Sequence, residues 1–165
     1  MTSPAWEGRE IPLGSETLTV IESNAEALVL EAVWPTRTSS PPPHLHPRQQ
    51  ERFDVLEGAL EVEIDGTRST VAAGEAFTVP PGSAHRMRNP GPGPARARWT
   101  VSPALRTEAL FRELAAVGGA KASPLVATQV LLRYRDEFRL ALPSPLEPVA
   151  VRALATVGRV LRLPH

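Results

Sequence analysis

Residues 51–71 read ERFDVLEGALEVEIDGTRSTV, and this stretch decides the fold. Apolar residues take every second place along it, first Phe53 and Val55, then Leu60, Val62 and Ile64. Successive side chains of a strand point to opposite faces, so a period of two predicts strands with one buried face. Gly58 stands where the first strand must turn, and Asp65-Gly66 stands between two alternating runs. Both residues of that pair tolerate positive φ, which a two-residue hairpin requires. Working outward, the same pattern predicts strands near 17–22, 27–34, 52–57, 59–64, 68–72, 76–80, 85–89 and 95–101. Gly74 and Gly82 fall at turns, and NPGPGPA with Gly91 and Gly93 reads as a loop. Short strands with regular turns imply a mainly β fold, a small antiparallel barrel or sandwich.

Bulk properties narrow the function classes. The 165 residues suffice for an ordinary core, and 42% hydrophobic with 22% charged residues fits a globular protein. The net charge is zero, so no global charge invites nucleic acid. Cysteine is absent, which removes disulfides, zinc–thiolate sites and cysteine nucleophiles. The opening residues MTSPAWEGREIPLG have neither a basic start nor an apolar run, and no stretch has the length of a membrane span. A cytoplasmic protein is the expectation.

Past residue 102 the periodicity becomes helical, near 104–117, 125–138 and 146–162. The chain therefore divides into a β unit, 1–102, and a helical extension, 103–165, packed on the β unit or on a partner subunit. Leu110, Leu114 and Val117 form one apolar stripe, ended by Gly118-Gly119, and Ser123-Pro124 starts the next helix. The last segment places Val151, Leu154, Val157 and Leu161 on one face. Packing on the barrel or a second copy explains it better than a membrane surface, because it is short and has few charges. Charge divides as well: residues 1–101 hold 9 basic and 13 acidic residues, and residues 102–165 hold 9 and 5.

Three of the four histidines lie in two short segments, PPPHLHPRQQERFDVLEG and GEAFTVPPGSAHRMRN. His44 and His46 are two apart and share a strand face, Glu51 returns on the next strand, and His85 comes from a distant one. Imidazole and carboxylate are transition-metal ligands, and a closing sheet would turn all four toward one ion. A lone strand histidine is usually a packing residue; three at these spacings with a glutamate favour a metal. The same alternation puts Phe53, Val55 and Met87 inward with the ligands, and Phe77 and Trp99 complete an apolar lining for a small molecule. Asn89 before Pro90 reads as a turn residue, Glu61, Glu63 and Asp65 as a wet face, and Asp136 and Glu137 as part of a solvent-facing helix surface.

These segments resemble the paired motifs of the cupin superfamily. His44, His46, Glu51 and Gly58 match the first, with Thr38 where the motif has a leading glycine, a change that should loosen the entering turn. Gly74, Pro80, Gly82, His85 and Asn89 match the second. The resemblance covers about residues 27–101. It implies a jelly-roll barrel with His44, His46, Glu51 and His85 holding one divalent ion, among Fe, Mn, Ni, Cu or Zn. The nearest likeness is to single-domain quercetin-dioxygenase-like cupins with a helical C-terminal extension, part of which RYRDEFRLA resembles.

A mononuclear metalloenzyme acting on a small apolar or aromatic molecule is therefore expected. The likeness to dioxygenases ranks that oxidoreductase activity first, with Glu51 as ligand and general base. A metal-dependent isomerase or cyclase, and a non-catalytic module binding a small ligand or metal, are the alternatives. Exposed strand edges suggest a homodimer.

Overall fold

The computed structural model describes residues 10–141. Among these residues eleven antiparallel strands form two facing sheets. The strands are β1 (Glu10–Pro12), β2 (Thr17–Ser23), β3 (Leu28–Trp34), β4 (His44–Leu45), β5 (Gln50–Glu57), β6 (Ala59–Ile64), β7 (Thr67–Ala72), β8 (Ala76–Val79), β9 (His85–Arg88), β10 (Ala95–Ser102) and β11 (Arg139–Leu140). One sheet has the order β1-β2-β3-β10-β5-β8 and the other β11-β4-β9-β6-β7. Consecutive strands β5 and β6 lie in different sheets, as do β8 and β9, and this crossing back and forth makes a jelly roll.

The hairpin forms where Asp65-Gly66 predicts it. Asp65 and Gly66 both have positive φ, 48° and 82°, and Ile64 pairs with Thr67. Gly58 has φ 70°, and a Cβ there would stand 2.6 Å from the Pro94 carbonyl oxygen, so only glycine fits between β5 and β6. Thr38 closes its turn rather than loosening it. Its amide donates to the Asn89 carbonyl at 2.9 Å, and its hydroxyl accepts the Asn89 amide at 2.9 Å. The Asn89 side chain spans the same loop, donating to the carbonyls of Pro35 and Gly93 and accepting from the Gly91 amide.

Two features differ from the expectation. Among the described residues the sheets do not close into one hydrogen-bonded barrel; they face each other as a sandwich. The helices in that range are two, α1 (Thr107–Ala116) and α2 (Pro124–Arg133), rather than about three. The expected helix at 146–162 lies outside the described residues. The last turn of the 125–138 reading does not form: α2 stops at Arg133, and the chain runs on into β11.

The alternating residues Leu18, Leu28, Leu30, Phe53, Leu60, Val62 and Val101 are buried between the sheets. Each large apolar side chain so covered contributes about 1.5–3 kcal/mol. The helices extend this core. Leu110 and Phe111 of α1 and Val130 of α2 are buried, and the Phe111 ring lies 5.3 Å from that of Trp99. Gln49, wholly buried before β5, donates to the carbonyls of Pro103 and Ala104 and to the Thr107 hydroxyl. These bonds fasten the start of α1 to the strand that carries Glu51. No helix among the described residues is long and apolar enough to cross a membrane.

Candidate metal centre

Pairing of β4 with β9 sets His44 directly opposite His85, with ring centroids 4.3 Å apart. His46 follows two residues after His44, and its ring lies 5.5 Å from His44 and 5.4 Å from His85. Glu51 comes from β5 in the opposite sheet and has no exposed surface. Its Oε1 is 3.2 Å from His46 Nε2 and its Oε2 is 2.9 Å from His85 Nε2. Residues from both inner faces thus meet at one end of the sandwich, although the sheets stay open.

Hydrogen bonding fixes the tautomer of every ring. His44 Nδ1 contacts the Pro42 carbonyl at 3.1 Å, His46 Nδ1 the Glu137 carbonyl at 2.6 Å, and His85 Nδ1 the Ser83 carbonyl at 3.2 Å. A carbonyl only accepts, so each Nδ1 carries a proton, and wherever the ring is neutral its Nε2 is left as the bare lone pair. His46 Nε2 and Glu51 Oε2 are buried without a hydrogen-bond partner. Acceptors that face each other in a dry interior need a cation between them, either a proton or a metal.

The electrostatics differ among the three rings. Burial, reinforced by the neighbouring His85 and His46, pushes His44 down to about 3. Burial also lowers His46, and the pull of Glu51 does not offset it. Burial would raise Glu51, but the imidazoles of His46 and His85 outweigh that and hold the carboxyl below its ordinary value. Burial likewise opposes the charge on His85, yet its bond to Glu51 prevails and raises it. Near neutral pH His44 and His46 are therefore neutral beside a carboxylate, the states that metal ligands need, while Glu51 favours a proton on His85 that an incoming metal would displace. Nitrogens on opposite sides of an ion at about 2.1 Å stand about 4.2 Å apart. The imidazole nitrogens lie within 4.8 Å of one another, so small ring rotations would close the set. The donors fit a divalent transition metal.

Beside the histidines lies a cavity of about 50 Å³ lined by Glu16, Trp34, Pro41, His44, Phe53, His85, Met87 and Trp99. Phe53, Met87 and Trp99 are therefore on its wall. Val55 is not among the lining residues and is buried in the core, and Phe77 stacks behind Phe53 at 4.8 Å. Trp99 also donates its indole N–H to Glu51 Oε1 at 3.1 Å, so it packs and positions at once. Sequence reasoning missed Glu16, Trp34 and Pro41. Trp34 had a signal, since it continues the buried parity of Leu28, Leu30 and Ala32. Glu16 had none, being a polar residue ahead of a strand. Burial raises its carboxyl above the ordinary value, against the opposing hydrogen bond from Ser15.

A second miss is Glu137. It is buried rather than on a solvent-facing helix, and its neighbour Phe138 stacks on His44 at 4.8 Å and 16°.

Comparison with known proteins agrees with this geometry. Residues 30–101 match the family model for the cupin domain. Germin-like protein 1-1 of Oryza sativa subsp. japonica is 39% identical over 109 residues, 62% of this chain and 47% of that protein. Polyketide synthase CurC of Streptomyces cyaneus is 38% identical over 60 residues, 36% of this chain and 39% of that protein. The match thus spans less than half the length of either relative. An RmlC-like cupin from Shewanella frigidimarina NCIMB 400 superposes with a TM-score of 0.53 at 24% identity, over 60% of this chain and 86% of that one, which shows the shared fold.

Proposed function

From the match of residues 30–101 to the cupin domain model and the gathered histidines, we propose a mononuclear metalloenzyme that acts on a small apolar or aromatic molecule. His44, His46, Glu51 and His85 hold its one divalent ion. The observation that carries this reading is the set of three Nδ1–H bonds to backbone carbonyls, which aims three Nε2 atoms and a carboxylate at one another. When bound, the ion would polarise and acidify an oxygen of the ligand.

The chain's own residues do the rest. Trp34, Phe53, Met87 and Trp99 exclude water and offer flat faces to a planar molecule. Trp99 pins Glu51 Oε1, which leaves Oε2 as the atom that accepts a hydroxyl proton from the substrate. A carboxylate held below its ordinary value is a weak base, so this transfer needs a substrate hydroxyl already made acidic. Because the cavity is only about 50 Å³, it takes a few heavy atoms, or the reacting edge of a larger ring system.

Dioxygenase chemistry is the leading reading. The test is oxygen uptake by protein loaded in turn with Fe(II), Mn(II), Ni(II) and Cu(II), given catechol-sized and flavonol-sized substrates. Uptake that needs His46 supports it; no uptake with any metal removes it. A metal-dependent isomerase or cyclase is the second reading, favoured by the similarity to a Streptomyces polyketide synthase protein and by the aromatic wall. It predicts turnover of a polyketide-like substrate without oxygen consumption. The non-catalytic alternative predicts binding with neither. We further propose that the protein acts as a homodimer, which light scattering would show.

A further inference from the structure

The segment that follows the sandwich reaches back to the histidines from a distance of about ninety residues in the chain. β11 pairs with β4, setting Leu140 opposite His44. Glu137 gives its carbonyl to His46 Nδ1 at 2.6 Å, the shortest of the three ring bonds. Phe138 lies flat on His44 and edge-on to His46, with centroids at 4.8 and 5.8 Å. Two of the three imidazoles are therefore oriented by residues outside the matched domain.

One side chain fixes this segment. Arg106 sits at the N-terminal end of α1. Its Nε donates to Glu137 Oε1 at 3.1 Å, its Nη2 to the Arg133 carbonyl at 2.8 Å, and its backbone amide to Glu137 Oε1 at 3.3 Å. Its guanidinium also lies 4.8 Å from the centre of the Tyr134 ring. The Glu137 carboxylate is almost fully buried, so removing Arg106 would leave a buried acid without its cation and let the turn after α2 move. Gln49 holds the start of α1 to the strand bearing Glu51, which gives the clamp a fixed base.

We infer that Arg106 is a positioning residue for the metal centre, setting the Glu137 carbonyl on His46 and the Phe138 ring on His44 so that both Nε2 atoms point at the ion. This rests on the metal reading above. Groups that orient a ligating imidazole from outside typically change metal affinity about 10–100-fold when removed.

The test is Co(II) binding to the full-length protein, by competition with a chelator and by the visible d–d spectrum, alongside circular dichroism and Tm of the metal-free forms. Arg106→Ala should keep the β signature, weaken Co(II) about 10–100-fold and shift the spectrum, because His46 is no longer held. Glu137→Gln keeps an acceptor for Arg106 but loses the ion pair, and should weaken Co(II) less than Arg106→Ala does. A purely structural Arg106 would lower Tm and leave the spectrum of the folded fraction unchanged, and that result overturns the inference. Should Arg106→Ala not fold, Phe138→Leu decides: it keeps an apolar cover but loses the ring stack, and an unchanged spectrum and affinity again overturn it. If wild type binds no Co(II), the metal reading itself fails and this inference with it; if wild type binds and the variants match it, only the clamp is wrong.

Discussion

His46→Ala separates a metal that serves chemistry from one that holds the fold together. Four-ligand zinc sites contribute about 10–16 kcal/mol, so one ligand accounts for roughly 3–4 kcal/mol, or about 100–1,000-fold in affinity. At a metal concentration about 100 times the wild-type Kd, wild type gains about 2.7 kcal/mol of stability. A domain of this size shifts by about 2–4 °C per kcal/mol, so its Tm should rise by about 5–10 °C. The same metal concentration about equals the Kd of the variant, which gains only about 0.4 kcal/mol and roughly 1 °C. In the metal-free state the variant loses a buried ring whose Nε2 has no partner and strands the Glu137 carbonyl, at a cost of about 1–3 kcal/mol. Leu18, Leu28, Leu30, Phe53 and Leu60 bury without any ion, so the metal-free variant should still melt cooperatively, about 2–12 °C below wild type. Calorimetry with and without Co(II), plus elemental analysis, measures both effects. An equal metal-dependent rise in the two proteins would falsify the ligand assignment, and a metal-free variant with no cooperative transition would make the ion structural.

Three further outcomes follow from single contacts. Burial raises the Glu16 carboxyl above its ordinary 4.5, so the folded protein holds that proton more tightly than the unfolded chain. Its stabilising contribution is complete below 4.5 and disappears as pH rises through the raised value; Glu16→Gln, which cannot ionise, should out-melt wild type at pH 8, with the gap closing at pH 4, and an equal gap at both would count against this account. Gly58→Ala places a Cβ 2.6 Å from the Pro94 oxygen at φ 70° and should lower the urea midpoint by the equivalent of about 1–3 kcal/mol or more, while an unchanged midpoint would show that the β5–β6 turn relaxes freely. Trp99→Phe keeps an aromatic ring against Phe53 but removes the N–H to Glu51, and should cost the metal-free protein about 1.5–3 kcal/mol in urea at pH 7; no loss would mean that the indole bond carries nothing.

The strands were legible because each obeys a local rule. Phe53 and Val55 alternate with exposed partners, Asp65-Gly66 can only turn, and Gly58 marks a place with no room for a side chain. The gathering of His44, His46, His85 and Glu51 was legible for the same reason, since strand parity puts His44 with His46 and Glu51 with Phe53. Strands β1, β4 and β11 were not. At two or three residues each, they have no period to detect, and they exist because β1 pairs with β2, and β4 with β11 and β9. Closure also failed as an expectation, because alternation fixes which face is buried but says nothing about whether edge strands meet.

Glu137 shows where a charge pattern misleads. In RYRDEFRLA the acids and arginines read as a solvated helix face, and Arg48 with Asp136 does form an exposed pair of that kind. Glu137, one residue on, turns inward because α2 ends at Arg133, and a carboxylate that is almost fully buried is tolerated only with its cation attached. That cation, Arg106, stands 31 positions earlier, at the junction of sandwich and extension. No periodicity links the two; only the folded arrangement does. The same arrangement gives residues 103–141 their reason to be ordered. Two short helices and a two-residue strand bury little by themselves, so their order must come from what they dock on: the Trp99–Phe111 contact, the Gln49 bonds and the His44 and His46 rings. If an ion firms those rings, it also firms the segment resting on them. Amide exchange at Phe138 and Arg139 should therefore slow when Co(II) is added to wild type and not when it is added to His46→Ala, whereas equal slowing in both would separate the extension from the metal centre.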